Sequence, residues 1–143
     1  MKSTSPHTVH ICIATVSEPG RASAAFKMNT LSSGHTAMAL RSAKGANLCM
    51  VIFTGNGLMR YQHEGGNTNS AASWTPGQWQ TAQIEWFSNF TFMASLGGVP
   101  FVQQAHFATN AVPTKIAFIV GYGPATNRIG YIDDVKVLGT EAQ

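Results

Sequence analysis

Hydrophobic and polar residues alternate with a period of two along most of the chain. Near the N-terminus Val9, Ile11 and Ile13 share one side of an extended segment, and the residues between them share the other. This alternation is typical of a β-strand with one buried face, and no segment shows a sustained helical period. About ten strands are predicted on this basis, at residues 9–14, 22–29, 36–42, 48–53, 58–63, 79–87, 90–96, 99–104, 113–122 and 129–138, with a further short piece from residue 107.

The residues between these segments are typical turn formers. Asn56-Gly57 predicts a tight hairpin, and Gly97-Gly98 is expected to turn the chain between two later strands. Residues 64–78 fit no element and are expected to form a long polar loop. Strands and turns together predict an all-β fold, a two-sheet antiparallel β-sandwich, as a single domain covering residues 1–143.

Several large or paired residues have specific expected places in this sandwich. Trp79 and Trp86 are expected in the core, where replacing Trp79 by Ala would cost ~3–5 kcal/mol. The run 132–135 places two apolar residues three apart, which predicts a β-bulge. Cys12 and Cys49 lie in separate strand-like segments, and buried free thiols are favoured over a disulfide, which would require neighbouring strands.

Three segments, in order, resemble the concanavalin A-like lectin/glucanase domains, which include the laminin-G-like modules. Ser73–Trp86 is similar to a stretch in which a loop with Gly and Trp introduces a central strand. Phe90–Val102 resembles the hairpin that follows, and Tyr131–Gly139 (YIDDVKVLG) resembles the closing strand. The resemblance covers mainly the C-terminal half and implies jelly-roll topology.

The same resemblance implies a structural calcium ion at Asp133 or Asp134. Taken alone, adjacent carboxylates at a bulge more often accept backbone N–H bonds. Calcium takes 6–8 oxygen ligands, the chain has only six acidic residues, and the N-terminal glutamate of related sites has no match. We therefore expect no cofactor, with structural calcium as the weaker alternative.

Residue patterns associated with catalysis are absent from the sequence. Glycoside hydrolases of this fold place two glutamates on one strand, ~5 Å apart, whereas Glu18, Glu64, Glu85 and Glu141 are isolated. The five histidines lack metal-ligand spacing. These observations predict that the protein is not an enzyme.

Glycan binding is the binding function that the resemblance suggests. Proteins hold sugars by stacking aromatic faces on the ring and by hydrogen bonds from Asn, Asp and Arg. The predicted loops offer such candidates, although Trp74 could equally be buried as a plug at the sandwich edge: Trp74, Asn67, Asn69, Tyr122, Asn127 and Arg128.

The composition favours a second hypothesis, in which the protein is a subunit of an assembly. Charged residues make up 10% of the chain, against ~25% in a typical soluble domain, so part of the surface is expected to be covered by partners. Phenylalanines crowd one stretch and fall on both faces of their strands, which makes four of them candidates for an interface in a homo-oligomer or larger assembly: Phe87, Phe90, Phe92 and Phe101. The resulting main prediction is a structural assembly subunit on a virion surface, such as a capsid decoration or fibre protein. The alternative is a carbohydrate-binding module of a larger secreted protein.

Charge and hydropathy limit the other partners. The nine Lys and Arg residues are scattered, so no nucleic-acid-binding stripe is expected despite a net charge of +3. Apolar stretches such as residues 116–120 are too short to cross a bilayer, and no secretory signal is visible. The expected location is the virion or, for a secreted module, the extracellular space.

Overall fold

The computed structural model describes residues 10–17, 19–28, 36–120 and 130–139. Within these ranges the chain forms eleven strands and no helix. The strands are β1 (His10–Thr15), β2 (Gly20–Met28), β3 (Thr36–Ser42), β4 (Asn47–Phe53), β5 (Leu58–His63), β6 (Gly66–Ser73), β7 (Gln80–Trp86), β8 (Thr91–Leu96), β9 (Val99–His106), β10 (Pro113–Val120) and β11 (Gly130–Gly139).

The strands form two antiparallel sheets. The larger sheet has six strands in the order β1-β10-β3-β4-β5-β6, and the smaller has five in the order β11-β2-β7-β8-β9. All pairs between neighbouring strands are antiparallel. The two-sheet antiparallel sandwich predicted from the period-two pattern is confirmed.

The core lies between the sheets and consists of the inward-facing residues of both. Phe26 of the smaller sheet packs on Phe53 of the larger, with ring centroids 5.0 Å apart. Trp86 is fully buried, as predicted, and its indole N–H donates to the carbonyl oxygen of Ser17 at 2.7 Å. A Cβ atom at Gly20 would lie 2.7 Å from the Trp86 ring, so this position must stay small for the indole to fit.

Two predicted irregularities of the strands are present. Gly97 and Gly98 both have positive φ, 60° and 85°, as a two-residue turn with the twist of type I′ requires. The register of β11 against β2 shifts between Asp133 and Lys136, and Asp134 has a φ of 55°. The predicted bulge in this strand is confirmed.

Three predictions for the middle of the chain are wrong. Residues 64–78 are not one loop, because β6 pairs with β5 as an edge strand. Gly, Asn, Ser and Ala have low β-propensity, so pairing in the sheet rather than local preference makes this segment a strand. No strand starts at Phe107, whose ring instead stacks on Phe92 in the core. Trp79 is 50% exposed and does not belong to the core.

The sheet order shows that Cys12 and Cys49 cannot form a disulfide. Cys12 lies on β1 and Cys49 on β4, with β10 and β3 between them. Three strand spacings amount to about 14 Å, which is beyond the reach of a disulfide. Cys49 is a buried free cysteine, and burial raises the pKa of its thiol above the ordinary value.

Candidate functional site

The outer face of the larger sheet is divided into an apolar and a polar half. Directly paired residues in an antiparallel ladder share a face, so the registers define rows of neighbours across the sheet. One row contains Ile13, Ala117, Ala39, Met50, Gln62 and Asn67, in the order of the strands. The adjacent row contains Ile119, Ala37, Ile52, Arg60 and Asn69. In both rows the change from apolar to polar residues falls between β4 and β5.

The polar half forms a compact group at the sheet edge, which we call the amide patch and define as Arg60, Gln62, Asn67 and Asn69. Arg60 Nε donates a hydrogen bond of 2.9 Å to Asn69 Oδ1 across the β5–β6 pair. Asn67 and Asn69 are exposed, and Arg60 and Gln62 are half-buried. The patch therefore presents amide and guanidinium groups to solvent from two paired strands.

A second arginine–asparagine pair extends the polar surface by one row. On the β3–β4 pair, Arg41 Nε donates to Asn47 Oδ1, also at 2.9 Å. The row of Gln62 lies between this pair and the Arg60–Asn69 pair. In both pairs the bond joins Nε of the guanidinium to the asparagine oxygen. This bond does not use the asparagine NH₂ group or the terminal guanidinium nitrogens, which are hydrogen-bond donors.

Gln62 is the unusual member of the amide patch. Its Oε1 atom is shielded from solvent and has no hydrogen-bond partner among the described residues. A shielded acceptor without a partner costs free energy, and such groups in folded proteins require an explanation, of which a functional role is one. Rotation of the Gln62 side chain toward solvent would let this oxygen accept a hydrogen bond from a ligand hydroxyl.

The inner side of the β5–β6 pair holds the amide patch in place. His63 Nε2 and Thr68 Oγ1 lie 2.7 Å apart, and the His63 ring contacts Tyr61 at a centroid distance of 4.9 Å. Ser70 Oγ donates to the carbonyl oxygen of Met59 at 2.8 Å, where the register shifts. These contacts fix the edge strand that carries both asparagines.

The structure places the predicted glycan-binding residues in three different situations. Asn67 and Asn69 lie together on the amide patch, with two partners, Arg60 and Gln62, that the sequence did not indicate as candidates. Trp74 is only 4% exposed, and its indole N–H donates to the carbonyl oxygen of Thr54 at 2.9 Å. The prediction that Trp74 stacks on a sugar is therefore wrong, because its ring is packed inside the sandwich. Tyr122, Asn127 and Arg128 lie outside the described residues.

The predicted interface phenylalanines are largely withdrawn from the surface. Phe92 is fully buried in the core, so the prediction that it lies in an interface is wrong. Phe90 and Phe101 are partly buried and pack against the core, and Phe87 is half-buried. The large hydrophobic residues that are exposed among the described ones are Ile13, Trp79, Val99, Val112, Val135 and Leu138.

The two adjacent aspartates lie exposed at the β11 bulge. Asp133 Oδ1 accepts the backbone N–H of Asp134 at 2.8 Å, and Asp134 Oδ2 lies 3.8 Å from Lys136 Nζ. Within the described ranges, no group of three or more His, Cys, Asp and Glu residues converges on one point. The same part of the chain contains no helix long and apolar enough to cross a membrane.

The two antiparallel sheets and their shared core give the chain a fold like that of the concanavalin A-like lectin/glucanase domains, which is the fold that the sequence resemblance implied. No family model and no curated protein matches the chain. Solved structures do match, at sequence identities that show a common fold alone.

Three of these structures illustrate the range. A sialidase matches with a TM-score of 0.78 at 13% identity, over 98% of this chain and 15% of the sialidase chain. The transglycosylase Crh5 matches with a TM-score of 0.74 at 11% identity, over 97% of this chain and 71% of its own. A tetrameric galectin from the ball sponge Cinachyrella sp. matches with a TM-score of 0.72 at 11% identity, over 92% of this chain and 100% of the galectin.

Two functional predictions are corrected by these comparisons. The virion assembly subunit is wrong, because the matching structures are carbohydrate-active enzymes and a galectin. The prediction that the protein is not an enzyme is contradicted as well, because several of the matching structures are enzymes.

Proposed function

We propose that the chain is a carbohydrate-binding domain and that the amide patch, Arg60, Gln62, Asn67 and Asn69, is its glycan site. The observation that carries the proposal is the convergence of these four side chains on one face at the β5–β6 edge, with the Oε1 atom of Gln62 lacking a partner. A galectin whose whole length is matched, and a Crh5 transglycosylase solved in complex with NAG, support this class of ligand.

The chemistry of the patch suits sugar hydroxyls. Each hydroxyl both donates and accepts, so a site needs donors and acceptors close together. The guanidinium of Arg60 and the NH₂ groups of the asparagines donate, whereas Gln62 Oε1 accepts. Met50 and Ile52, next in the same rows, offer an apolar surface to the C–H groups of a sugar ring.

In this proposal the domain acts as a carbohydrate-binding module of a larger secreted protein. The chain spans 15% of the sialidase that it matches, which is consistent with a fold that occurs as one part of longer chains. A homo-oligomer is also compatible, since the matching galectin is a tetramer.

The proposal is tested by screening the protein against a glycan array and measuring the best ligand by calorimetry. Asn69→Ala removes the acceptor of Arg60, and Gln62→Ala removes the unpartnered carbonyl, so each variant should weaken binding by about tenfold, the equivalent of one good hydrogen bond. Lys44→Ala, at an exposed position in the β3–β4 turn, is the matched control and should bind like the wild type.

Circular dichroism should show that both variants keep the β-sheet spectrum, because the substituted side chains lie on the outer face of the sheet. Equal affinity of all the variants, or no binding to any arrayed glycan, would contradict the proposed site.

A further inference from the structure

The smaller sheet carries an exposed aromatic group at one end of its outer face. Trp79, just before β7, is 50% exposed. Its ring centroid lies 6.4 Å from that of Tyr131 on β11, with 54° between the planes. Lys27, on β2 between them, places Nζ 5.8 Å from the centroid of the Tyr131 ring. These three side chains form what we call the aromatic end: Trp79, Tyr131 and Lys27.

The outer face of β2 leads from the aromatic end to a cavity near the start of the strand. The outward residues of β2 that follow Lys27 are Ala25 and Ser23, both small. Ala25 is flanked by Thr81 and Asp133 in its row. Ser23 is flanked in the next row by Gln83 and Lys136, and these residues line a cavity of about 370 Å³ that ends at Arg21 and Leu138. We call the path along the outer face of β2, from the aromatic end to this cavity, the channel: its central residues are small, and the longer Gln83 and Lys136 flank it at the cavity.

The side chains along this channel are polar and of mixed charge. Arg21, Lys27 and Lys136 are cationic, whereas Asp133 and Glu85, which pairs with Arg21, are anionic. The carboxylate of Asp133 is oriented by its bond with the N–H of Asp134. A ligand of strong single charge would meet repulsion somewhere along this path, whereas a neutral polyhydroxylated ligand finds donors and acceptors at each row.

We propose that this channel is a second carbohydrate site, which takes a neutral oligosaccharide of β-linked pyranoses with one ring stacked on Trp79. The indole supplies the flat apolar surface for the C–H face of a sugar, and Tyr131 borders that surface. Thr81, Asp133, Gln83 and Lys136 provide hydrogen bonds to successive rings. From Lys27 to Arg21 the strand extends about 20 Å, which is enough for a short oligosaccharide. The site lies on the opposite side of the sandwich from the amide patch.

The fluorescence of Trp79 offers a direct test. The chain has three tryptophans, and Trp74 and Trp86 are buried, so quenching by acrylamide reports mainly on Trp79. Cellohexaose is the chosen probe, because every ring substituent of β-1,4-linked glucose is equatorial and both ring faces expose only C–H groups. Saturating cellohexaose should protect the wild-type protein from quenching, and Asn69→Ala should be protected equally.

Calorimetry with the same probe tests the residues of the channel. Trp79→Ala and Tyr131→Ala should lower the affinity for cellohexaose by about tenfold or more, whereas Val99→Ala, an exposed apolar residue on β9, should leave it unchanged. Unaltered quenching in the presence of cellohexaose would overturn the proposal. Loss of protection in Asn69→Ala together with normal binding by Trp79→Ala would also overturn it, and would assign the binding to the amide patch alone.

Light scattering distinguishes a sugar ligand at the aromatic end from a second copy of the chain that covers it. A dimer of the wild type at micromolar concentration that becomes a monomer in Trp79→Ala would show that a second copy of the chain covers the aromatic end, and would overturn the sugar site. A monomer in both proteins agrees with the proposal.

Discussion

The two ends of the connection between β6 and β7 contain one tryptophan each, and the two residues have opposite environments. Trp74, at the end of the larger sheet, contacts Phe53 edge-on at 5.9 Å, and its backbone N–H donates to the carbonyl oxygen of Gly57. Trp79, at the start of the smaller sheet, has half of its surface in solvent. The same side chain, a few residues apart, is thus a core residue in one sheet and a surface residue in the other.

This difference shows that the side of the sheet decides burial, whatever the hydrophobicity of the residue. Trp74 follows the inward row of β6 and closes the end of the sandwich beside the β4–β5 turn. Trp79 lies just before Gln80, where the β2–β7 ladder begins, and its ring lies beside that of Tyr131 on the outer face. The alternation of β6 continues through the connection: the inward residues of β6, Trp74 and the inward residues of β7 all have even numbers, so the odd-numbered Trp79 falls on the outer side.

Truncating each indole is the most direct test of the difference between the two tryptophan environments. Trp74→Ala should lower the free energy of unfolding by about 3–5 kcal/mol, because it removes a buried ring and leaves a cavity. Trp79→Ala should lower it by less than about 1 kcal/mol, as is usual at exposed positions. Urea denaturation followed by circular dichroism measures both, and equal losses in the two variants would show that the environments are not different.

Much of the fold was predictable from the sequence, because β-branched and aromatic residues alternate clearly in most strands. β3 and β5 have the predicted bounds, and the Gly97-Gly98 turn follows from the φ angles that such a turn requires. β6 was not predictable, since its residues have low β-propensity and only the β5 ladder makes it a strand.

The amide patch was only partly predictable for the same reason. In a loop, Asn67 and Asn69 would have no fixed relation to Arg60 and Gln62. The pairing of Asn69 with Arg60 can be predicted only if β6 is recognised as a strand that pairs with β5. Trp79 differs from its predicted place because it lies an odd number of residues from Ile84 and Trp86, the inward residues of β7, so it cannot share their face.

A smaller change at Trp74 separates its hydrogen bond from its packing. Trp74→Phe keeps an aromatic ring but leaves the carbonyl oxygen of Thr54 without the 2.9 Å bond from the indole. Because that oxygen still accepts the N–H of Gly57 at 3.2 Å, the expected cost is about 1–2 kcal/mol, from one lost hydrogen bond and the smaller apolar area of the ring. Thermal unfolding measures it, with Trp79→Phe as the control that should change stability little. A loss in Trp74→Phe as large as in Trp74→Ala would mean that the bond, and not the packing, holds the residue.

The smallest expected effect is in the connection itself. Gly77 has a φ of +78°, and its N–H donates to the carbonyl oxygen of Met28 at 2.7 Å. Gly77→Ala should cost about 1 kcal/mol, because a residue with a Cβ atom is strained at positive φ. Gln78→Ala, at an exposed position in the same connection, is the control in a denaturant titration. If Gly77→Ala is as stable as the wild type, the connection adopts another backbone conformation without penalty.

The order of strands also has a consequence for how the protein is made. β1 pairs with β10, with His10 opposite Val120, and β2 pairs with β11, with Gly20 opposite Gly139. Both sheets therefore join an early strand to a late one, and the loops closed by these contacts are among the longest in the chain. Folding with such high contact order is slow. On the ribosome β1 has no partner until β10 has left the exit tunnel, and β2, which can pair with β7 earlier, keeps one edge unpaired until β11 follows. During that interval the nascent chain is most exposed to pairing with other chains.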